Sequence, residues 1–151
     1  FRARRHVNDI LPLSKREKTE FEGARQAWSH ALQDAKINLE DLSFVETHDC
    51  FTIAELIEYE AMGLTKLGEG YKAIEEGWVQ KNGKLPINPS GGLKSKGHPV
   101  GATGVSQHVM SAMQLMGEAD EMQVKDANLA GIFNMGGASV ANYVSILERI
   151  R

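Results

Sequence analysis

Three short segments carry side chains that could do chemistry: Gly97-His98-Pro99, His48-Asp49-Cys50-Phe51 and Asn134-Met135-Gly136-Gly137. A thiol near a neutral imidazole suits acid/base or nucleophilic work, because the histidine can take or share the thiol proton. Around His98 the glycines are dense, at positions 91, 92, 97, 101 and 104, where the backbone needs positive φ or must let another group come close. Pro99 suits the first turn of a helix, since its missing N–H has no intrahelical partner there in any case. That reading puts His98 at a helix N-terminus, where the dipole disfavours the imidazolium and leaves the ring able to act as a base.

Other readings of the same residues compete. Lys94 and Lys96 beside a glycine-rich turn would suit a phosphate, but the spacing Gly97-x-x-x-Gly101-x-x-Gly104 matches neither the dinucleotide fingerprint nor the P-loop. The loop could also be a tight packing device whose histidine is satisfied by backbone. A metal is not expected, because zinc asks for four ligands at recognisable spacing and Cys50 is the only cysteine.

The elements that must position these groups can be read from periodicity. Ser14-Lys15-Arg16-Glu17 reads as a capping box, followed by Phe21, Ala24, Trp28, Ala31, Leu32 and Ala35 at helical spacing, which predicts a helix from about Lys15 to Ala35. Phe44 and Val45 read as a short buried strand running into the His48 segment. Thr52-Ile53-Ala54-Glu55 is a second capping box, opening a helix that stops at Gly63 with Glu55, Glu58 and Glu60 on its wet face. A short helix is expected from Tyr71 to Glu76, then a tight turn at Asn82-Gly83 between Trp78-Val79 and Leu85-Pro86-Ile87. The helix after His98, from about Pro99 to Met116, would bury Val105, Val109, Ala112, Met113 and Met116, with His108 a structural or surface residue. Leu129 to Phe133 and Val140 to Leu147 read as an antiparallel pair buried on both faces. Strands alternating with helices make the chain α/β, with the three segments at strand ends or helix starts, where ligands bind in open sheets.

Composition bounds the rest. The 151 residues, 42% hydrophobic, suffice for one ordinary core and give no sign of two domains. A net charge of -3 offers no broad basic surface for nucleic acid, and the basic amino end, Phe1 to His6, reads as a solvated segment. A single cysteine fits a reducing compartment, and without a run of about 20 apolar residues or a secretory segment the cytoplasm is the default.

Beyond these readings, the sequence resembles the carboxyl-terminal half of a thiolase, most closely the sterol-carrier-protein type. The string Asn88-Pro89-Ser90-Gly91-Gly92-Leu93-Lys94-Ser95-Lys96-Gly97-His98-Pro99-Val100-Gly101-Ala102-Thr103-Gly104 is similar to that family's long motif. Thr47-His48-Asp49-Cys50-Phe51 is similar to the subtype's own, where most thiolases have Asn-Glu-x-Phe. The resemblance runs from about His6 to Leu147 and implies a mixed sheet with helices on both faces, residues 1–151 forming one thiolase-like carboxyl-terminal domain. It places the family's first strand of this half upstream of Phe1; without that strand a sheet edge would be unpaired.

The resemblance also implies roles. Thiolases cleave a 3-ketoacyl-CoA with coenzyme A, or run the reverse Claisen condensation, through an acyl-enzyme. His98 would activate the nucleophile and, with His48, bind the thioester oxygen; Cys50 would move the proton at the substrate's α-carbon; the backbone N–H of Gly136 would serve a second oxyanion hole. Asn134 stands where most thiolases carry the acid/base cysteine, and Cys50 would answer that loss. The nucleophilic cysteine and most coenzyme A contacts belong to an amino-terminal half outside these residues, so the chain by itself is expected to be inactive. Acyl-CoA and coenzyme A are then substrates, no tightly bound cofactor is expected, and the expected partners are the amino-terminal half and further copies in a homo-oligomer. Two other functions compete: retro-aldol cleavage of an acyl-CoA side chain, and a binding or assembly module without catalysis.

Overall fold

The computed structural model describes residues 1–150. Four strands form one mixed sheet: β1 (Ala3–Asn8), β2 (Phe44–Glu46), β3 (Leu129–Gly136) and β4 (Ala141–Glu148), in the spatial order β1-β4-β3-β2. β1 and β3 each run antiparallel to β4, whereas β2 runs parallel to β3. The helices are α1 (Glu22–Ala35), α2 (Thr52–Ala61), α3 (Gly70–Glu75), α4 (Gly92–Lys96) and α5 (Thr103–Met116). The mixed sheet with helices on both faces is the architecture expected.

α1 lies on one face. Its small residues Ala24, Ala27, Ala31 and Ala35 recur at helical spacing and let Trp28, 1% exposed, reach the sheet beside Phe133. Gly131 makes that approach possible, since a Cβ there would stand 2.8 Å from the Trp28 ring and 2.9 Å from Leu42. A second, smaller core of Phe44, Leu115, Val124, Ala127 and Ala130 fills the other face under α5.

Several expectations need correction. α1 starts at Glu22 and not near Lys15; residues 13–15 make one 3-10 turn, and Glu17 Oε1 accepts from Lys18 and Thr19, a local bond that competes with helix. Thr52 is the first residue of α2 and caps nothing, because Glu55 bonds Tyr59 and Lys94 instead. The Asn82-Gly83 return exists, with Leu85 N–H on Trp78 and Ile87 N–H on Val79, though neither side is a strand of the sheet.

The basic amino end is not a solvated segment. Alternation in β1 turns Ala3 and Val7 toward α1, while Arg5 meets Asp34 at 2.5 and 2.8 Å. This end of the chain thus carries a strand of its own, β1, paired along β4. β4 is buried on one face only, with Tyr143 45% exposed, because α5 covers β3 and leaves the far side of β4 open.

The largest correction concerns α5. Its buried residues are Thr103, Gln107, Ser111, Gln114 and Leu115, whereas Val105, Val109 and Met116 are at least half exposed. The buried amides answer backbone groups: Gln107 donates to Phe133 O, and Gln114 donates to Met122 O and accepts from Val124 N–H.

We expect Gly131→Ala to lower unfolding free energy by about 1–3 kcal/mol, since overpacking drives Trp28 or Leu42 off its position. Urea denaturation monitored by tryptophan fluorescence measures it, and an unchanged midpoint would contradict the close approach.

Candidate active site

Because β2 and β3 are parallel neighbours, their carboxyl ends open side by side. β2 runs out into His48 and Cys50, and β3 ends at Asn134 to Gly136. The loop after α4 brings His98 against them. All four sequence-predicted site residues, His48, Cys50, His98 and Gly136, line one cleft of about 400 Å³. Phe51 and Val100 form its rim and are 70% and 85% exposed.

The two imidazoles meet edge to face, ring centres 4.8 Å apart at 88°. Each is oriented by its Nδ1. His48 Nδ1 lies 2.6 Å from Asn134 Oδ1, an oxygen that can only accept, so Nδ1 donates and Nε2 of the neutral ring carries a lone pair toward the cleft. Burial, and secondarily the neighbouring His98, hold His48 below the ordinary histidine range despite the pull of Asn134. His98 Nδ1 lies 2.6 Å from Thr103 Oγ1, whose own proton goes to Pro99 O at 3.2 Å. His98 therefore also presents Nε2 as an acceptor when neutral. The orienting contact is this hydroxyl, carried by the first residue of α5, so the ring stands at that helix's N-terminus.

The loop that holds His98 is fastened from below by carboxylates. Glu46, fully buried, accepts from Ser90 N–H at 3.1 Å and Ser90 Oγ at 2.6 Å. Asp49, 1% exposed, accepts from Leu93 N–H at 2.6 Å and Lys94 N–H at 3.3 Å, at the start of α4. Gly92 has φ +66°, and a Cβ on it would meet Asp49 Oδ2 at 2.3 Å, so only glycine lets the carboxylate in. Asn88 completes the attachment, its side chain accepting from Thr47 N–H and its own N–H donating to Val45 O, both at 2.7 Å.

Lys94 and Lys96 are occupied with this fastening. Lys94 pairs with Glu55, and Lys96 lies 3.6 Å from Glu46 and bonds Ser90. Burial pushes the Glu46 carboxyl up, against the counter-pull of Ser90 and Lys96. Glu58 is not on a wet face: it is fully buried, bonded among the described residues only by Thr47 Oγ1 at 2.5 Å, and burial raises its carboxyl well above the usual range. Burial first, then Glu58, raises the Cys50 thiol, which keeps it protonated. His108 bonds Gly104 O and Ser145 Oγ, tying α5 to β4, and stands outside this cleft.

Sequence reasoning missed the orienting and fastening groups. Asn134 was visible only as a substituted position, and the contacts of Glu46 and Asp49 lie 44 residues away, beyond any local spacing. Asp49 within the His48 motif was the one available signal.

With the geometry in place, comparison with known proteins adds the family. Residues 6–149 match the thiolase C-terminal domain-like family. The chain is 39% identical to acetyl-CoA acetyltransferase of Methanothermobacter thermautotrophicus over 135 residues, covering 89% of this chain and 35% of that protein. It is 44% identical to sterol carrier protein 2 of Bos taurus over 116 residues, covering 77% of this chain and 21% of that protein. A solved structure titled Ltp2-ChsH2(DUF35) aldolase superposes with a TM-score of 0.83 over 99% of this chain and 39% of that one; at 17% identity the likeness is one of fold. The chain thus spans about a third or less of the relatives it matches.

Glu58 yields a prediction. A carboxyl whose folded pKa is raised binds its proton more tightly when folded, so its contribution to stability is largest below the ordinary carboxylate range and is lost as pH rises toward the folded value. Glu58→Gln should therefore gain melting temperature relative to the parent as pH goes from about 4.5 to 8. A difference that stays constant with pH would remove Glu58 from the titration.

Proposed function

This chain belongs to the thiolase C-terminal domain-like family, and we propose that it is the acid/base and oxyanion half of a thiolase-type acyl-CoA acyltransferase. The observation that supports this best is the convergence of His48, Cys50, His98 and the Gly136 edge on one cleft, each imidazole held by a dedicated partner.

In thiolysis a cysteine thiolate from an amino-terminal half adds to the 3-keto carbon of the substrate, its proton having passed to Nε2 of His98. Collapse of the adduct breaks the bond between C2 and C3, and the electron pair goes to C2. The Cys50 thiol protonates C2, releasing acetyl-CoA and leaving the shortened acyl chain on the nucleophilic cysteine and a thiolate on Cys50. Free coenzyme A gives its proton to that thiolate and attacks the acyl-enzyme, and the departing cysteine thiolate takes its proton back from His98, which restores the starting state. A raised thiol pKa suits Cys50 to the protonating step, because the group waits as an acid.

Oxygens that gain charge need donors. The Gly136 N–H is one, at a position where the chain turns tightly from β3 to β4. His48 can be another by a rotation of the Asn134 amide, which would put Nδ2 opposite Nδ1 and move the ring proton to Nε2 without displacing the imidazole. An asparagine at 134 permits both tautomers, which a thiol would not do as well.

Cys50 is the only thiol, and its proposed task leaves the acyl-enzyme to a cysteine outside these 151 residues. The exposed stripe of Val105, Val109 and Met116 on α5 supports a partner there, since an apolar row above a polar buried face is suited to being covered by another half or copy. No helix among the described residues is long and apolar enough to cross a membrane. Retro-aldol chemistry would use the same oxygen-binding groups but no second thiol, so Cys50 in the cleft beside His48 favours the thiolase reading.

Combined with a nucleophile-bearing half, the chain should support acetoacetyl-CoA thiolysis, and Cys50→Ala and His98→Ala should each reduce kcat by about 100-fold or more. The chain alone should give no turnover. Thiolysis that survives Cys50→Ala would overturn the role of that thiol, and aldol cleavage without thiolysis would replace the reading.

A further inference from the structure

The turn between β3 and β4 carries the backbone edge that faces the cleft, and its conformation is unusual. Gly137, Ala138 and Ser139 are consecutive left-handed residues, with φ of 62°, 53° and 63°. Glycine takes that conformation freely, but alanine and serine do so at a cost of about 1–2 kcal/mol each. Something must hold them.

Two side chains do. Asn142, fully buried, donates from Nδ2 to Ser139 O at 3.0 Å and accepts from Ser139 Oγ at 2.6 Å. The other is Arg16, which comes from the stretch before α1, 122 residues away in sequence. Its side chain is only 6% exposed, its two terminal nitrogens donate to Ala138 O at 3.1 Å and Ser139 O at 3.3 Å, and Asp9 lies 3.6 Å from it. The guanidinium grips the two strained residues by their carbonyls, and Ala138 lines the cleft together with Gly136 and Gly137. Burying an arginine is costly, and its Nε has no partner among the described residues, so the arrangement is not explained as a cheap packing solution.

We propose that Arg16 is a positioning residue for the oxygen-binding edge of the site: it holds Ala138 and Ser139 left-handed and thereby fixes where the Gly136 and Gly137 N–H groups stand. The inference deepens the thiolase reading and rests on it for its catalytic consequence, but the positioning itself is measurable without turnover. A lysine could reach one carbonyl and not two, because the planar fork is lost. A glycine at 138 removes part of the strain that Arg16 holds, so it should make the arginine less necessary.

The test compares Arg16→Lys, Arg16→Met and the double variant Arg16→Met/Ala138→Gly by amide chemical shifts and hydrogen exchange at residues 136 to 139 of the chain. Paired with the nucleophile-bearing half, the same variants are assayed for acetoacetyl-CoA thiolysis. We expect displaced shifts and faster exchange confined to this turn in both single variants. We also expect kcat reduced about tenfold or more with KM within about twofold, and recovery of at least about half the logarithmic loss in the double variant. Unchanged shifts and exchange at 136 to 139 in Arg16→Lys would overturn the positioning, whether or not the assembled protein turns over. Displaced shifts with no thiolysis in the parent would instead leave the positioning standing and remove the thiolase reading. Equal losses in kcat and thermal stability that Ala138→Gly does not relieve would assign Arg16 to bulk folding and overturn the proposal.

Discussion

Glu46 and Asp49 are sealed from water at the carboxyl end of β2, and what offsets their desolvation is a set of hydrogen bonds from the very loop that carries His98. The dependence is mutual. Without the loop two carboxylates would be buried with few partners, and without the carboxylates a run with glycines at 91, 92, 97 and 101 would have little to choose one conformation over another. The placement of His98 is therefore a by-product of satisfying charge inside the fold. The same economy appears at α5, where the buried amides of Gln107 and Gln114 close backbone groups of β3 and of the connection that leads from α5 to it.

Mixed strand direction is the second condition. Had β3 been followed by a crossover helix, as in an all-parallel sheet, its end would open into a longer connection. The antiparallel return to β4 instead closes it within four residues, 137 to 140, and demands left-handed backbone there. The parallel pairing of β2 with β3 then sets the His48 ring beside that closed end, where Asn134 can orient it.

What could be read in the sequence follows from how local each cause is. The glycine-rich segment, the His48-Asp49-Cys50 motif and the Gly136-Gly137 turn announce themselves over a few residues, and the cleft unites them. The antiparallel pair and the buried face of α1 were legible because period and apolarity agreed. α5 was not, because its apolar stripe points outward and its buried face is held by amides whose partners lie in other elements. β1 was hidden by charge, since Ala3 and Val7 are a faint period-2 signal among arginines that find Asp34 and Glu148 only in the fold. Arg16 could not be seen at all, being placed within a supposed helix while its guanidinium works across 122 residues of chain.

Phe51 and Val100 stand apart from all these constraints. They border the cleft, yet both side chains are mostly in solvent and, being hydrocarbon, neither can hydrogen-bond the groups that orient or fasten it. A lineage could exchange these two residues for larger, smaller or polar ones without disturbing either imidazole, the thiol or the buried carboxylates. The machinery and the taste of the site are thus separable in inheritance: the first is locked by its own internal chemistry, while the second is left free to drift and diversify at the rim.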